Sequence, residues 1–133
     1  MNQVQQKRTI LIVEDLEIDR TILTDFLKND YELLMAKDGR EALDVLREKA
    51  DILSAVLLDI VMPVMDGFEA ARMIRAMERS DAKTIPIIAS TADAFSDTKG
   101  KILEAGMNCR VVKPIDGDAL GKVIVELLAK LEK

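Results

Sequence analysis

Five short apolar runs alternate along this chain with five stretches of helical period, and that alternation constrains the fold more than any other feature. The runs are Thr9-Ile10-Leu11-Ile12-Val13, Tyr31 to Ala36, Ala55-Val56-Leu57-Leu58, Pro86-Ile87-Ile88-Ala89 and Arg110-Val111-Val112. Each is short and β-rich, and most are continuously apolar, as in strands covered on both faces. Between the first two runs, Ile18, Ile22, Leu23, Phe26 and Leu27 predict a helix over about 17–28, with an apolar face. Asp38-Gly39 opens a second helix with Ala42, Leu43 and Leu46 inward, and Asp66-Gly67 a third with Phe68, Ala71, Met73, Ile74 and Met77. Ser80 to Thr84 reads as a polar loop. A fourth helix begins after Phe95, with Ser96 or Asp97 as its N-cap and Gly106 as its stop. The fifth, capped by Asp116 or Asp118, carries Leu120, Val123, Ile124, Leu127, Leu128 and Leu131. Alternating strands and helices with right-handed crossovers predict one doubly wound α/β domain, a (βα)5 unit around a five-stranded parallel sheet.

The length of 133 residues suits one domain with a core of its own. With 49% hydrophobic and 32% charged residues the chain is expected to be globular. No repeat, low-complexity tract or linker interrupts it, so residues 1–133 are expected to hold a single domain. A net charge of -5 argues against direct binding of nucleic acid. No apolar run approaches the roughly 20 residues of a membrane span, and Met1 to Arg8 lacks the apolar core of a signal peptide. One cysteine, Cys109, allows no intrachain disulfide, which fits a cytoplasmic location. The chain has no histidine, which removes Ser-His-Asp and Cys-His catalysis and His-ligated zinc. Any chemistry must run on carboxylates, hydroxyls, lysines and a metal held by oxygen.

Such residues stand at the strand ends. Glu14-Asp15 follows the first strand, Asp59 the third, Ser90-Thr91 the fourth and Lys113 the fifth. Ligands of open α/β sheets bind beyond the carboxyl ends of the strands. Three carboxylates would converge there if strands one and three are neighbours. At an effective dielectric of about 20, two charges about 4 Å apart repel by roughly 4 kcal/mol. A divalent cation relieves that cost, and oxygen ligands on an open face favour Mg2+ or Mn2+. Lys113 offsets charge from the other side. A metal, a carboxylate nucleophile, a lysine and a hydroxyl donor form a site for phosphoryl transfer to aspartate.

Over about residues 8–131 the sequence resembles the receiver domain of two-component response regulators, the CheY-like phosphoacceptor domains. The resemblance lies in Glu14-Asp15, in Asp59-Ile60-Val61-Met62-Pro63-Val64-Met65-Asp66-Gly67, in Ala89-Ser90-Thr91-Ala92 and in Lys113-Pro114-Ile115-Asp116. It implies a flavodoxin-like sheet of strand order 2-1-3-4-5. It implies that Asp59 is the phosphoacceptor, that Asp15, Asp59 and the backbone carbonyl of Val61 are Mg2+ ligands, and that Glu14 acts through water. Thr91 would be the switch hydroxyl, Lys113 the phosphate-binding lysine, and the Lys113-Pro114 bond cis. Its implied partners are a histidine kinase or phosphotransfer protein upstream and a target protein or fused output domain downstream. Phosphorylation would change the surface of the fourth helix, fifth strand and fifth helix. Such a domain promotes its own phosphorylation and dephosphorylation but is a signalling module, not an enzyme. The family's switch aromatic usually lies three residues before the lysine, where this chain has Arg110. Val61 and Asp93 occupy the two positions that tune dephosphorylation. The segment Ala105-Gly106-Met107-Asn108 resembles receivers of hybrid sensor kinases, which suggests a module of a longer protein.

Three other readings are weaker. An aspartate-nucleophile phosphatase needs a second aspartate two residues after the nucleophile, where Val61 stands. A nucleotide or flavin binder needs a glycine- or hydroxyl-rich loop after strand one, where Glu14-Asp15 would repel phosphate. A degenerate receiver that acts only by protein interaction would not need the full set of acidic, hydroxyl and lysine residues. The stripe on the fifth helix is long enough to serve a homodimer or a following coiled coil as well as the core. Gly100, inside the fourth helix, costs about 1 kcal/mol relative to alanine and would leave that helix locally soft.

Overall fold

The computed structural model describes residues 7–92 and 96–131, with side chains throughout except at residues 96, 97 and 131. Among the described residues, the strands β1 (Arg8–Val13), β2 (Tyr31–Ala36), β3 (Leu53–Asp59), β4 (Ile87–Thr91) and β5 (Cys109–Val112) form one parallel sheet of order β2-β1-β3-β4-β5. The helices between and after them are α1 (Glu17–Leu27), α2 (Gly39–Lys49), α3 (Gly67–Ala76), α4 (Ser80–Thr84), α5 (Ser96–Glu104) and α6 (Gly117–Leu131). A 3-10 turn at Ala50–Ile52 joins α2 to β3. The doubly wound parallel sheet and its order are therefore as the sequence implied. The order turns back between β1 and β3, so their carboxyl ends lie side by side.

Alternation along each strand divides the core in two. Ile10, Ile12, Ala55, Leu57 and Ile88 face α1 and α6, where Leu23, Leu27, Leu120, Ile124 and Leu128 pack. Leu11, Val13, Val56, Leu58, Ile87 and Ala89 face the opposite layer, built from Ala42, Leu43 and Leu46 of α2, Ala70, Ala71 and Ile74 of α3, and Ile102 of α5. Side chains buried on both faces explain why the strand sequences are apolar without alternation. The carboxyl caps expected at helix starts are present. The Asp38 carboxylate accepts from the Glu41 amide (2.9 Å) and Asp66 from that of Glu69 (2.9 Å). At α6 the cap is Asp116, which accepts from the Asp118 amide (2.9 Å). After α5, Gly106 adopts φ 98°, with its own N–H on Leu103 O and that of Met107 on Ile102 O. That pair of bonds is the left-handed glycine stop expected there.

Several expectations need correction. Ser80 to Thr84 is the short helix α4 and not a loop. Five residues are too few to show a helical period, and tertiary contacts hold them instead. Ala82 is fully buried, the Arg79 guanidinium grips the Asp81 carboxylate, and Arg75 donates to Ala82 O. The helices expected after Phe95 and from Asp116 are consequently α5 and α6. Ile18, Ile22, Phe26 and Met73 are exposed, although their spacing placed them on inward faces. The apolar stripes of α1 and α3 are wider than the surfaces they pack against. The N-cap expected at Ser96 or Asp97, the inward face of Leu131 and the position of Asp93 lie outside what the structure describes.

Two glycines in helices differ in what surrounds them. A Cβ on Gly67 would lie 2.5 Å from Asp59 O and 2.7 Å from Ile60 Cα, both backbone atoms. A Cβ on Gly100 would meet nothing within 4 Å. Gly67→Ala is expected to lower stability by about 3 kcal/mol through overpacking, and Gly100→Ala to raise it by about 1 kcal/mol through helix propensity. Urea unfolding of both variants checks the pair, and shifts of the same sign would contradict it.

Candidate phosphoacceptor site

The carboxyl end of the sheet gathers the polar strand ends. Glu14 directly follows β1, Asp59 closes β3 and Thr91 closes β4. Glu14, Asp59 and Thr91 are buried, at 1%, 4% and 4% exposure. Asp15 is half-buried beside them. Carboxylate oxygens of Glu14, Asp15 and Asp59 lie within 4.8 Å of one another. Lys113 reaches this cluster from the end of β5, its Nζ 3.3 Å from Asp59 Oδ1 and 3.4 Å from Glu14 Oε1. The Lys113 amide donates to Thr91 O at 2.7 Å, and the Lys113-Pro114 bond is cis, as the resemblance implied. Five of the side chains expected at the site thus share one edge. Val61, the sixth position, follows Asp59 on the same edge. Its side chain is exposed and its amide donates to Asp59 Oδ1 at 3.2 Å.

Local backbone geometry seats Asp59. Gly67 packs directly on Asp59 and Ile60 and donates its N–H to Ile60 O at 2.8 Å. Between them the chain makes a tight turn, with the Met65 N–H on Pro63 O at 2.7 Å around Val64 at φ 71°. A β-branched residue at positive φ is strained, so the contacts on either side must hold this turn. Arg110, in place of the family's aromatic, is half-buried on β5 opposite Ala89.

The electrostatics follow from burying acids together. Burial, then a hydrogen bond and charge repulsion from Asp59, push Glu14 up from 4.5 to about 7, against the lowering effects of the Leu16 amide and Lys113. For Lys113, burial pulls the ammonium pKa down, but the charges of Asp59 and Glu14 outweigh it and the net shift is upward. The lysine is therefore a fixed cation, and Glu14 is the group that relieves the crowding by holding a proton. A divalent cation would do the same work, and an all-oxygen donor set with an open face fits Mg2+ or Mn2+ in its chemistry.

Sequence reasoning passed over two parts of the site. The sequence marks Gly67 as the start of a helix but not as the residue that sets how closely α3 approaches Asp59. Arg20, on α1, donates through one guanidinium nitrogen to Glu14 O (2.8 Å) and Asp15 O (3.0 Å). No motif marks a side chain that binds backbone carbonyls.

The sequence profile of the response regulator receiver domain matches residues 10–125. The chain belongs to the response regulator receiver family. It is 37% identical over 125 residues to hybrid signal transduction histidine kinase I of Dictyostelium discoideum, covering 91% of this chain and 7% of that one. It is 35% identical over 125 residues to the sensor histidine kinase RcsC of Salmonella typhi, covering 93% and 13%. The receiver domain thus spans only a small part of these curated relatives. Among solved structures it is similar to the receiver domain of a Pseudomonas aeruginosa sensor histidine kinase, solved with a magnesium ion in its active-site cleft. That match has 31% identity and a TM-score of 0.83, and covers 92% of this receiver and 98% of the other. The receiver domain of Saccharomyces cerevisiae Ssk1, solved with the histidine phosphotransfer protein Ypd1, matches at 34% identity and TM-score 0.82, covering 93% and 90%.

The Glu14 shift sets a pH dependence. Its folded pKa lies above its unfolded value, so the stability it contributes is fully present below about pH 4.5 and is lost as pH rises toward 7. The metal-free receiver should lose urea resistance across that interval, and Glu14→Gln should flatten the profile. An unchanged slope in Glu14→Gln would assign the effect elsewhere.

Proposed function

We propose that this receiver is a phosphorylation-controlled signalling switch in which Asp59 accepts a phosphoryl group from a histidine kinase or phosphotransfer protein. The observation that carries this reading is the buried Asp59 carboxylate with Lys113 Nζ at 3.3 Å and two further carboxylates beside it. An Asp59 oxygen attacks phosphorus, the P–N bond of the donor phosphohistidine breaks, and its electron pair returns to the imidazole nitrogen. Asp59 attacks as a carboxylate, so no general base is required. Lys113, already aligned on Asp59, offsets charge on a phosphoryl oxygen, and Thr91 donates a hydrogen bond to another. Glu14, Asp15, Asp59 and the backbone carbonyl of Val61 are the groups that would hold Mg2+ or Mn2+, which supplies further charge neutralisation when bound. A magnesium ion in the cleft of the similar Pseudomonas receiver supports that choice.

A protein donor suits the rim of the site. Leu16 and Ile18 follow β1, Val61 and Val64 follow the adjacent β3, and all four side chains are exposed. Apolar side chains around a charged pocket favour docking of a protein over capture of a small solute. The Ssk1 receiver solved with its phosphotransfer protein supports a donor of that kind. Once formed, the aspartyl phosphate draws on Thr91 and Lys113. The population then shifts at the surface of α5, β5 and α6, where a target or a fused output domain reads it. No described helix is long and apolar enough to cross a membrane.

Incubation with Mg2+ and a small acyl phosphate, followed by intact-mass measurement, tests the reading. Wild type should gain one phosphoryl group and Asp59→Asn none, while Lys113→Ala should react on the order of 100-fold more slowly, the usual loss when one electrostatic partner is removed. An unmodified wild type, or equal modification of Asp59→Asn, would refute it.

A further inference from the structure

We propose that Arg20 is a positioning residue of the phosphoacceptor site, acting on the acidic pair through its backbone. One guanidinium nitrogen donates to two successive carbonyls, Glu14 O at 2.8 Å and Asp15 O at 3.0 Å. These are the two peptide units from which the carboxylates of the acidic pair project. The second unit is held from both sides. Its carbonyl, on Asp15, faces Arg20, and its N–H, on Leu16, donates to Glu14 Oε2 at 3.2 Å. The trans peptide is planar, so fixing the carbonyl direction fixes the N–H direction. Arg20 therefore sets the orientation of the Glu14 carboxylate through a single peptide plane, and hydrogen bonds at both ends of a peptide strengthen each other.

The anchoring of Arg20 gives the clamp its reference frame. Its own amide donates to Leu16 O at 3.0 Å, and the Thr24 hydroxyl donates to Arg20 O at 2.7 Å, so the residue sits in the regular first turns of α1. Helix α1 is fixed to the sheet by Leu23 and Leu27, both buried. The acidic pair is thus referred to a packed helix and not left to a free loop. Carbonyl pairing also explains why a cation can stand so near the site without bonding its carboxylates. The structure gives this guanidinium two neutral backbone acceptors, which leaves the negative charge of the cluster available to a metal and to Lys113.

Two opposed effects make the test decisive. By charge alone, deleting a cation beside a divalent-metal site tightens metal binding. Loss of positioning weakens it, and outer partners that orient ligands are typically worth about 10- to 100-fold in affinity. The inference rests on the phosphoacceptor reading, and the experiment separates the two. Mn2+ is titrated into metal-free protein and the free ion is followed by electron paramagnetic resonance, with folding checked by thermal unfolding. Wild type should bind one Mn2+, Arg20→Met about tenfold or more weakly, and Arg20→Lys in between. Arg20→Met keeps the apolar stem and helix propensity but has neither charge nor donor, and Arg20→Ala repeats the test without the stem. Arg75 serves as a control of the same kind. It donates to Gly106 O, Ala82 O and Asn108 Oδ1 among α3, α4 and the α5–β5 loop, so Arg75→Lys should lower the melting temperature and leave Mn2+ affinity unchanged. Folded Arg20→Met or Arg20→Ala protein that binds Mn2+ as tightly as wild type, or more tightly, overturns the positioning role alone. A wild type that binds no Mn2+ overturns the phosphoacceptor reading with it.

Discussion

Two acids, Glu14 and Asp59, are buried at one edge of the sheet with a single lysine between them, and the rest of the structure is arranged around that imbalance. The Lys113 ammonium lies within 3.4 Å of both, yet one positive charge does not neutralise three carboxylates. The remainder of the cost shows in Glu14, which burial and Asp59 push to about 7. Isolated buried charge is expensive, and a site that retains it is preorganised to gain from a cation or a proton. The acidic edge is therefore less stable than its packing would allow, and that deficit is one that a bound cation would relieve.

The scaffold that holds this edge is conventional in its physics. A parallel sheet packed on both faces gives each strand one exit, and order β2-β1-β3-β4-β5 brings the exits of β1, β3 and β4 side by side. Carboxylate caps at Asp38, Asp66 and Asp116 begin helices soon after the strands end, which keeps the loops short and the functional side chains close to the sheet. Arginines then tie loops that the sheet does not reach. Arg20 and Arg75 both bind backbone carbonyls in place of acids, and burial pulls the Arg75 pKa down without a carboxylate to oppose it. Guanidinium groups suit this because they present several donors in one plane.

Most of the fold was legible because β1, β3 and β4 are buried on both faces, and because the ends of these strands and of β5 carry polar residues that packing alone does not call for. Asp59 after Leu58 and Lys113 after Val112 carry that signal in single positions. What stayed hidden has a physical pattern of its own. Helix α4 is five residues long and held by Ala82 burial and the Arg79–Asp81 pair, so no periodicity marks it. Ile18, Ile22, Phe26 and Met73 have the spacing of a core face but are exposed at its margin. Arg20 works through backbone oxygens, which have no sequence. The strain at Val64 depends on a φ value that residue type argues against.

The close seating of Gly67 bears on how stress spreads through the domain. Side-chain layers deform by changing rotamers, whereas two backbones in contact have no such freedom. The first turn of α3 rests on Asp59 and Ile60 in that second way, with the Gly67 N–H on Ile60 O as a pin. Asp59 and α3 are consequently one stiff body. Further along the same face of the sheet, β4 meets α5 through an ordinary side-chain layer, and α5 carries Gly100 in open space. The compliance of the domain is lopsided. A displacement at Asp59 that moved α3 would have to push backbone against backbone, whereas one toward α5 would meet side chains free to change rotamer, and the difference rests on the absence of one methyl group at Gly67.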